Sequence, residues 1–142
     1  MKVSVAQLGG RMHYGVARIL EKEGILESLF TDFYAGPILG VLNKLPEWCK
    51  SNKIKKLLGR NAEEIPLDRI VSFPIFGIAY AWRVARAATV SERDTVFLKA
   101  GDTFGRKILR RGFGASDAIY GFNTASLRLF ERAREQLSLI HI

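Results

Sequence analysis

The chain has 142 residues, of which 48% are hydrophobic and 25% charged, and its formal net charge is +8. This length suits one globular domain with a real core, and this composition excludes a disordered or low-complexity chain. The single cysteine, Cys49, excludes an internal disulfide, and with only two histidines the sequence predicts no metal cluster.

The apolar stretches are too short for a membrane span. The longest, near residues 75–84, contains Arg83, whereas a span needs about 20 apolar residues. The first apolar run ends at Gly9, which is too early for a secretory signal. We therefore expect a cytoplasmic protein. The positive charge leaves nucleic acid, anionic lipid and phosphorylated substrates as classes of partner.

The N-terminus has the pattern of a parallel α/β fold. Residues 2–8 predict a buried strand, Gly9 and Gly10 break it, and residues 12–23 have helical spacing. The apolar face of this helix would consist of Tyr14, Ala17 and Leu20. Residues 25–31 predict a second strand. Because strand, helix and strand follow within about thirty residues, we expect a right-handed crossover and parallel strands.

The rest of the chain continues the alternation. In order it predicts two helices in 38–59, a loop at 61–67, a strand at 69–73, a buried helix at 75–88, a helix at 91–111, a strand at 115–122 and a last helix ending at Gln136. Ser91 and Asp94 resemble a capping box for the helix at 91–111. The predicted class is α/β, with a parallel sheet covered by helices on both faces.

The C-terminal end departs from this pattern. The fourth strand is followed by a helix that has no full strand to return to, and residues 137–142 supply at most a strand fragment. We therefore expect a truncated chain. Residues 1–136 would form one domain, and residues 137–142 would be a truncated or non-native tail.

The residues that follow the strands are the candidates for a binding site, because ligands of open α/β sheets lie at the carboxyl ends of the strands. After the first strand, the amides of Gly9 and Gly10 favour a phosphate or another anion. Arg11 and His13 stand beside them. The other candidates at this edge are Asp32, Pro74 and Asn123. Alternatively, the glycines only form a tight turn and His13 is an ordinary surface residue.

Asp32 ends the second predicted strand, about where an NAD-binding fold places the acid that binds its ribose. The glycines argue against that cofactor, because residues 9–15, GGRMHYG, lack the G-x-G-x-x-G spacing. Bulky residues in the middle would keep a pyrophosphate at a distance. We therefore rank a dinucleotide site low. The alternative for Asp32 is a solvated strand end.

The segment from Lys44 to Arg60 is basic and amphipathic, which is typical of a helix at a membrane surface. The residues that would face the membrane are Trp48, Lys50, Lys53, Lys55 and Lys56. The alternative is a solvated basic face on an ordinary helix. Nucleic acid is not expected, because the basic residues are not interleaved with aromatic residues as in known reader modules.

Three stretches resemble the N-terminal domain of GT-B glycosyltransferases of the retaining family four, also called group 1 glycosyl transferases. They are VAQLGGRMHYGVARILEKEGILESLFTDFYA, RIVSFPIFGIAYAW and DAIYGFNTASLRLFERARE. The resemblance covers nearly the whole chain to Gln136. It depends most on the glycine turn with Arg11 and His13, and on the turn at residues 120–124.

The resemblance implies two Rossmann-like domains that face a cleft. The N-terminal domain mainly holds the acceptor, and the absent C-terminal domain binds the nucleotide-sugar and supplies the glutamates of an E-x7-E motif. Gly9 and Gly10 would face the donor phosphates. Many members carry a histidine after a later strand, where this chain has Asn123. This difference leaves His13 as the polar group for the cleft.

The expected function is therefore the acceptor side of a glycosyltransferase. The parent would move a sugar from a nucleotide-sugar, its donor substrate, to a sugar or lipid-linked acceptor, with retention. It would need no further cofactor and would work in the cytoplasm, at the periphery of the inner membrane face. The sequence offers no catalytic set, so the chain alone should be inactive. The alternatives are a stand-alone basic α/β module for a nucleotide or an anionic membrane surface, and a dinucleotide oxidoreductase.

Overall fold

The computed structural model describes residues 1–36, 62–122, 127–136 and 139–141. Its strands are β1 (Val3–Gln7), β2 (Leu26–Thr31), β3 (Ile70–Ser72), β4 (Ala118–Gly121) and β5 (Leu139–His141). Its helices are α1 (Gly15–Lys22), α2 (Pro74–Arg86), α3 (Val90–Arg111) and α4 (Leu127–Gln136), with short 3-10 turns at Arg11–Tyr14 and Leu67–Arg69. The two helices predicted in residues 38–59 lie outside the described residues.

The five strands form one parallel sheet in the order β3-β2-β1-β4-β5. The predicted class, a Rossmann-like α/β fold, is therefore confirmed. The four predicted strands are present, although β4 begins at Ala118 instead of residue 115. The short strand β5 follows α4 and pairs with β4, so the last helix does return to the sheet.

The two faces of the sheet bury different sets of side chains. Successive strand residues point to opposite faces, and both faces of this sheet are covered, so β1 is buried throughout and β2 is buried at four of its six residues. Val5 and Leu29 pack with α1 on one face. Ala6 and Phe30 pack with α3 and α4 on the other face. The carboxyl ends of β1 and β2, where the candidate site lies, are thus supported by a hydrophobic core on each face of the sheet.

Helix α3 begins one residue earlier than predicted, and its cap is a different pair. The Thr89 hydroxyl accepts from the Glu92 amide at 3.2 Å, and the Glu92 carboxylate accepts from the Thr89 amide at 3.3 Å. This is a reciprocal capping box. The predicted pair of Ser91 and Asp94 is wrong, because Ser91 is already inside the helix.

Helix α2 was expected to be buried, and this prediction is wrong. Ile75 is 86% exposed, and Ile78 and Trp82 are more than half exposed. The helix follows β3, the edge strand of the sheet, so it covers the core with one side only, through Phe76 and Tyr80. None of the helices in the described ranges combines the length and apolarity of a membrane span.

Candidate functional site

The order of the strands locates the candidate site. The chain winds outward from β1 through β2 to β3, and then crosses back so that β4 lies on the other side of β1. Such a reversal opens a crevice at the carboxyl ends of the two strands that flank it. The segment that leaves β1 at this point is Leu8 to Tyr14. The structure therefore brings the predicted glycine turn to the crevice between β1 and β4.

The glycine turn is held by side chains from β1 and from the end of β2. Gly9 has a φ of +86°, which is the left-handed region that favours glycine. Its amide donates to Oδ1 of Asp32 at 2.8 Å, and its carbonyl accepts from Nε2 of the buried Gln7 at 3.1 Å. A Cβ atom at Gly9 would meet no atom within 4 Å. The backbone of this turn thus borders open space at the crevice.

Asp32 is only 1% exposed, so the alternative of a solvated strand end is wrong. Its Oδ1 accepts from the Gly9 amide and also from the Thr31 hydroxyl, at 3.3 Å. A buried carboxylate requires such donors to compensate for lost hydration. Asp32 therefore shapes the turn after β1 through one oxygen of a carboxylate that is closed off from solvent.

The residues after the glycines do not continue as the helix predicted from residue 12. Met12, His13 and Tyr14 have φ values of 50°, 47° and 59°, and α1 begins only at Gly15. Residues with a Cβ rarely adopt this region, and each such residue costs about 1–2 kcal/mol. A run of three is therefore a strained turn that the surroundings must hold, as often happens at functional sites.

Tyr14 is the anchor of this strained turn. Its side chain is fully buried, and its hydroxyl donates to the Phe33 carbonyl at 2.9 Å. The same hydroxyl lies 3.4 Å from Oγ1 of Thr31, and the ring packs against Tyr34 with centroids 6.1 Å apart. The predicted core position of Tyr14 is confirmed. Its role in bending the chain into the crevice was not visible in the sequence.

His13, the middle residue of this strained turn, is exposed. It lines an open depression of about 500 Å³ together with Arg18, Ala62, Glu63 and Glu64. Arg18 and Glu64 form an ion pair across this depression. A hydrogen bond from its own backbone amide, aided by Arg18, lowers the pKa of Glu64 below its ordinary value of 4.5.

The acidic side of this depression was missed in the sequence. Glu63 and Glu64 belong to the segment predicted as a plain loop, about fifty residues from His13 in the chain. No local pattern connects loop residues to a distant turn. Only the fold brings carboxylates, a guanidinium and an imidazole around one depression.

The remaining predicted residues divide into two groups. Pro74 begins α2, directly after β3. Asn123 and the predicted membrane-facing residues Trp48, Lys50, Lys53, Lys55 and Lys56 lie outside the described residues. Within the described ranges, no group of three or more His, Cys, Asp or Glu side chains could hold a metal ion.

The described residues of the site are suited to binding a ligand with anionic and hydroxyl groups. The turn ahead of α1 ends at Tyr14, whose hydroxyl is directed to Phe33 instead of capping the helix. Amides at the start of a helix attract anions. The adjoining depression offers charged donors and acceptors suited to hydroxyl groups. Asp32, the carboxylate closest to the glycine turn, is held by the Gly9 amide.

Comparison with protein-family models, with curated proteins and with solved structures gave no match. The Rossmann-like fold therefore stands on the structure of the chain itself.

Proposed function

We propose that this chain is the acceptor-side domain of a glycosyltransferase of the GT-B type. The complete enzyme would transfer a sugar from a nucleotide-sugar to a sugar or lipid-linked acceptor. The observation that carries this proposal is the hydrogen bond from the Gly9 amide to the buried Asp32 carboxylate. It holds an open glycine turn at the crevice between β1 and β4, where the resemblance in sequence requires a turn that faces donor phosphates.

The same observation favours a transferase over a dinucleotide oxidoreductase. An NAD site needs an acid at the end of β2 that is accessible to a ribose. Asp32 is buried and accepts hydrogen bonds from Gly9 and Thr31. The spacing GGRMHYG also places a strained turn of bulky residues where a pyrophosphate would need glycine. Both features disfavour a dinucleotide bound directly on the turn. They favour a donor phosphate that a second domain holds across a cleft.

The depression beside His13 is the proposed site for the acceptor. Sugars present hydroxyl groups in place of charge, and carboxylates and guanidinium groups bind hydroxyls through paired hydrogen bonds. Arg18, Glu63 and Glu64 line the depression together with His13. In this proposal His13 lies between the acceptor and the donor phosphates, as the polar group of the cleft.

The proposed location is the cytoplasm, at the periphery of a membrane. A lipid-linked acceptor would require the enzyme to approach the bilayer, and the net charge of +8 suits an anionic surface. The donor-binding domain would be supplied by sequence beyond this chain. The chain by itself is then expected to bind ligands weakly and to turn over no nucleotide-sugar.

Nuclear magnetic resonance of the ¹⁵N-labelled chain tests the proposal. Titration with a panel of uridine and guanosine diphosphate sugars should shift the amide signals of Gly9 and Gly10. Titration with saccharides should shift the signals of His13 and Glu64, and in neither case should the sugar be transferred. Tight binding of NAD with shifts around Asp32 would instead identify an oxidoreductase. Turnover of a donor by the chain alone would contradict the proposed division between two domains.

A matched pair of variants sharpens this test. His13→Ala should weaken saccharide binding at the depression, whereas Leu67→Ala removes an exposed side chain from another turn and should leave it unchanged. If neither class of ligand shifts any signal between Gly9 and His13, the proposal fails. A nucleotide bound tightly by the chain alone would favour a stand-alone binding module.

A further inference from the structure

Helix α2 carries an exposed apolar stripe that its packing does not require. Ile75, Ile78 and Trp82 follow one another at helical spacing, and they are 86%, 61% and 56% exposed. We call these three residues the α2 stripe. The opposite side of α2 already supplies the core contacts, through Phe76 and Tyr80. A contiguous exposed apolar surface of this kind marks an interaction site.

All the charged residues of α2 are basic. The helix PIFGIAYAWRVAR contains no acidic residue, and its last turn carries Arg83 and Arg86. The Arg86 guanidinium lies 4.0 Å from the centre of the Trp82 ring. Aromatic and basic side chains in contact at the end of an apolar stripe are typical of surfaces that meet a lipid headgroup layer.

A basic groove adjoins the α2 stripe. It has a volume of about 210 Å³ and lies between α2 and α3, with Ile75 and Phe76 in its wall and Arg83 and Lys107 as its cations. The Lys107 ammonium lies 5.7 Å from the centre of the Phe73 ring. Among the described residues, neither Arg83 nor Lys107 forms an ion pair. These two cations are therefore available to an anionic group from outside.

A carboxylate at the Trp82 end of this surface already accepts hydrogen bonds from the backbone. Glu92 lines the surface next to Trp82 and Arg86. Its carboxylate accepts from the amides of Ala88 and Thr89, at 2.7 and 3.3 Å, at the start of α3. The positive end of the helix dipole offsets its charge there. The surface thus presents apolar side chains beside Arg83, Arg86 and Lys107, none of which forms an ion pair among the described residues.

The charge decides between the candidate occupants of this surface. A second copy of the chain in a two-fold arrangement would place this basic surface against the same basic surface of its partner, and the like charges of the two surfaces disfavour that contact. An anionic bilayer instead offers phosphates to the cations and an apolar layer to the α2 stripe. The charge complementarity therefore favours the bilayer.

We propose that the α2 stripe and its basic groove dock on an anionic phospholipid bilayer. Ile75, Ile78 and Trp82 enter the headgroup layer, and Arg83 and Lys107 bind lipid phosphates. This inference deepens the proposed membrane location and assigns it to a surface other than residues 44–60. Because the docking is measured without donor or acceptor, its failure can be distinguished from failure of the proposed transferase function.

Tryptophan fluorescence provides the first test. The chain has two tryptophans, so the variant Trp48→Phe makes Trp82 the single reporter. Vesicles of phosphatidylcholine with 30% phosphatidylglycerol should shift its emission to the blue, and brominated acyl chains should quench it. Vesicles of phosphatidylcholine alone should do neither. Binding to anionic vesicles with unchanged Trp82 emission would overturn the proposal, because another surface would then be docked.

Vesicle sedimentation of matched variants provides the second test. Removing both cations with Arg83→Gln and Lys107→Gln should weaken the partition coefficient about thirtyfold, and Ile78→Ser should weaken it further. The controls are Lys22→Gln, an exposed cation on α1 on the other face of the sheet, and Leu67→Ser, an exposed apolar residue. Equal losses in the controls would contradict the assignment. A blue shift of Trp82 that depends on protein concentration without vesicles would identify a second copy as the occupant.

Discussion

The backbone amide of Gly9 donates a hydrogen bond of 2.8 Å to Oδ1 of Asp32, whose side chain is almost completely buried. This contact joins the end of β1 to the end of β2. It accounts for the shape of the glycine turn, and it holds a carboxylate that is closed off from solvent. The site thus depends on a carboxylate that shapes the backbone and does not itself face a ligand.

Replacing Asp32 with alanine should destabilise the fold. The change leaves the Gly9 amide and the Thr31 hydroxyl without their acceptor, and the expected loss is about 2 kcal/mol in the free energy of unfolding. Urea denaturation measures it. Asp68→Ala is the matched control, because Asp68 is exposed in the turn before β3. Equal losses in the two variants would contradict the role assigned to Asp32.

Glycine at position 12 should stabilise the protein. Met12 has a φ of 50° and is 75% exposed, so its side chain adds strain and little packing. Relief of that strain should raise the free energy of unfolding by up to about 1 kcal/mol. Lys99→Gly, in the middle of α3, should lower it by about 1 kcal/mol. A loss at both positions would show that the left-handed turn is not strained.

Alanine at position 77 should be destabilising, although Gly77 lies inside a helix. A Cβ atom there would lie 2.6 Å from the carbonyl oxygen of Asp32, which is backbone and cannot move aside easily. The expected loss is about 1–3 kcal/mol in thermal or urea unfolding. At Gly15 a Cβ would lie 3.9 Å from its nearest neighbour, so Gly15→Ala should be neutral or stabilising. Equal effects would rule out the close approach of α2 to the site.

The cap of α3 can be tested with two neighbouring changes. Thr89→Ala removes the hydroxyl that accepts from the Glu92 amide and should lower the free energy of unfolding by about 1 kcal/mol. Ser91→Ala changes the residue that the sequence favoured as the cap, and it should have little effect because Ser91 lies in the first turn. A larger loss of stability in Ser91→Ala than in Thr89→Ala would instead identify Ser91 and Asp94 as the capping pair.

The ion pair at the candidate acceptor site should respond to acid. The pKa of Glu64 is lowered in the folded chain, so its contribution to stability is present above its ordinary value of 4.5. That contribution is lost as the pH falls through the lowered pKa of the folded state. Titration of the Glu64 carboxyl by nuclear magnetic resonance should show that Arg18→Gln raises its pKa. Arg132→Gln, in a separate ion pair with Glu135, should leave it unchanged.

Two of the differences between sequence and structure come from the tertiary surroundings of a segment, which its local pattern does not contain. The sequence predicted a continuous helix from residue 12, because its apolar spacing suits one. The structure delays α1 to Gly15, since the buried hydroxyl of Tyr14 hydrogen-bonds to Phe33 and holds the preceding turn left-handed. In the same way, the apolar composition of α2 predicted burial. Its place after an edge strand leaves Ile75 and Trp82 exposed.

The sequence by itself determined the α/β class, the approximate positions of the first four strands and the glycine turn after β1. These depend on local patterns, namely the alternation of side chains in strands, the helical spacing of apolar residues and the glycines that end them. Only the tertiary structure decided that Asp32 binds Gly9, that His13 and Glu64 line one depression, and that the α2 stripe is exposed. Each of these features depends on where elements far apart in the chain lie in the fold. Local periodicity carries no information about which distant surfaces will pack together.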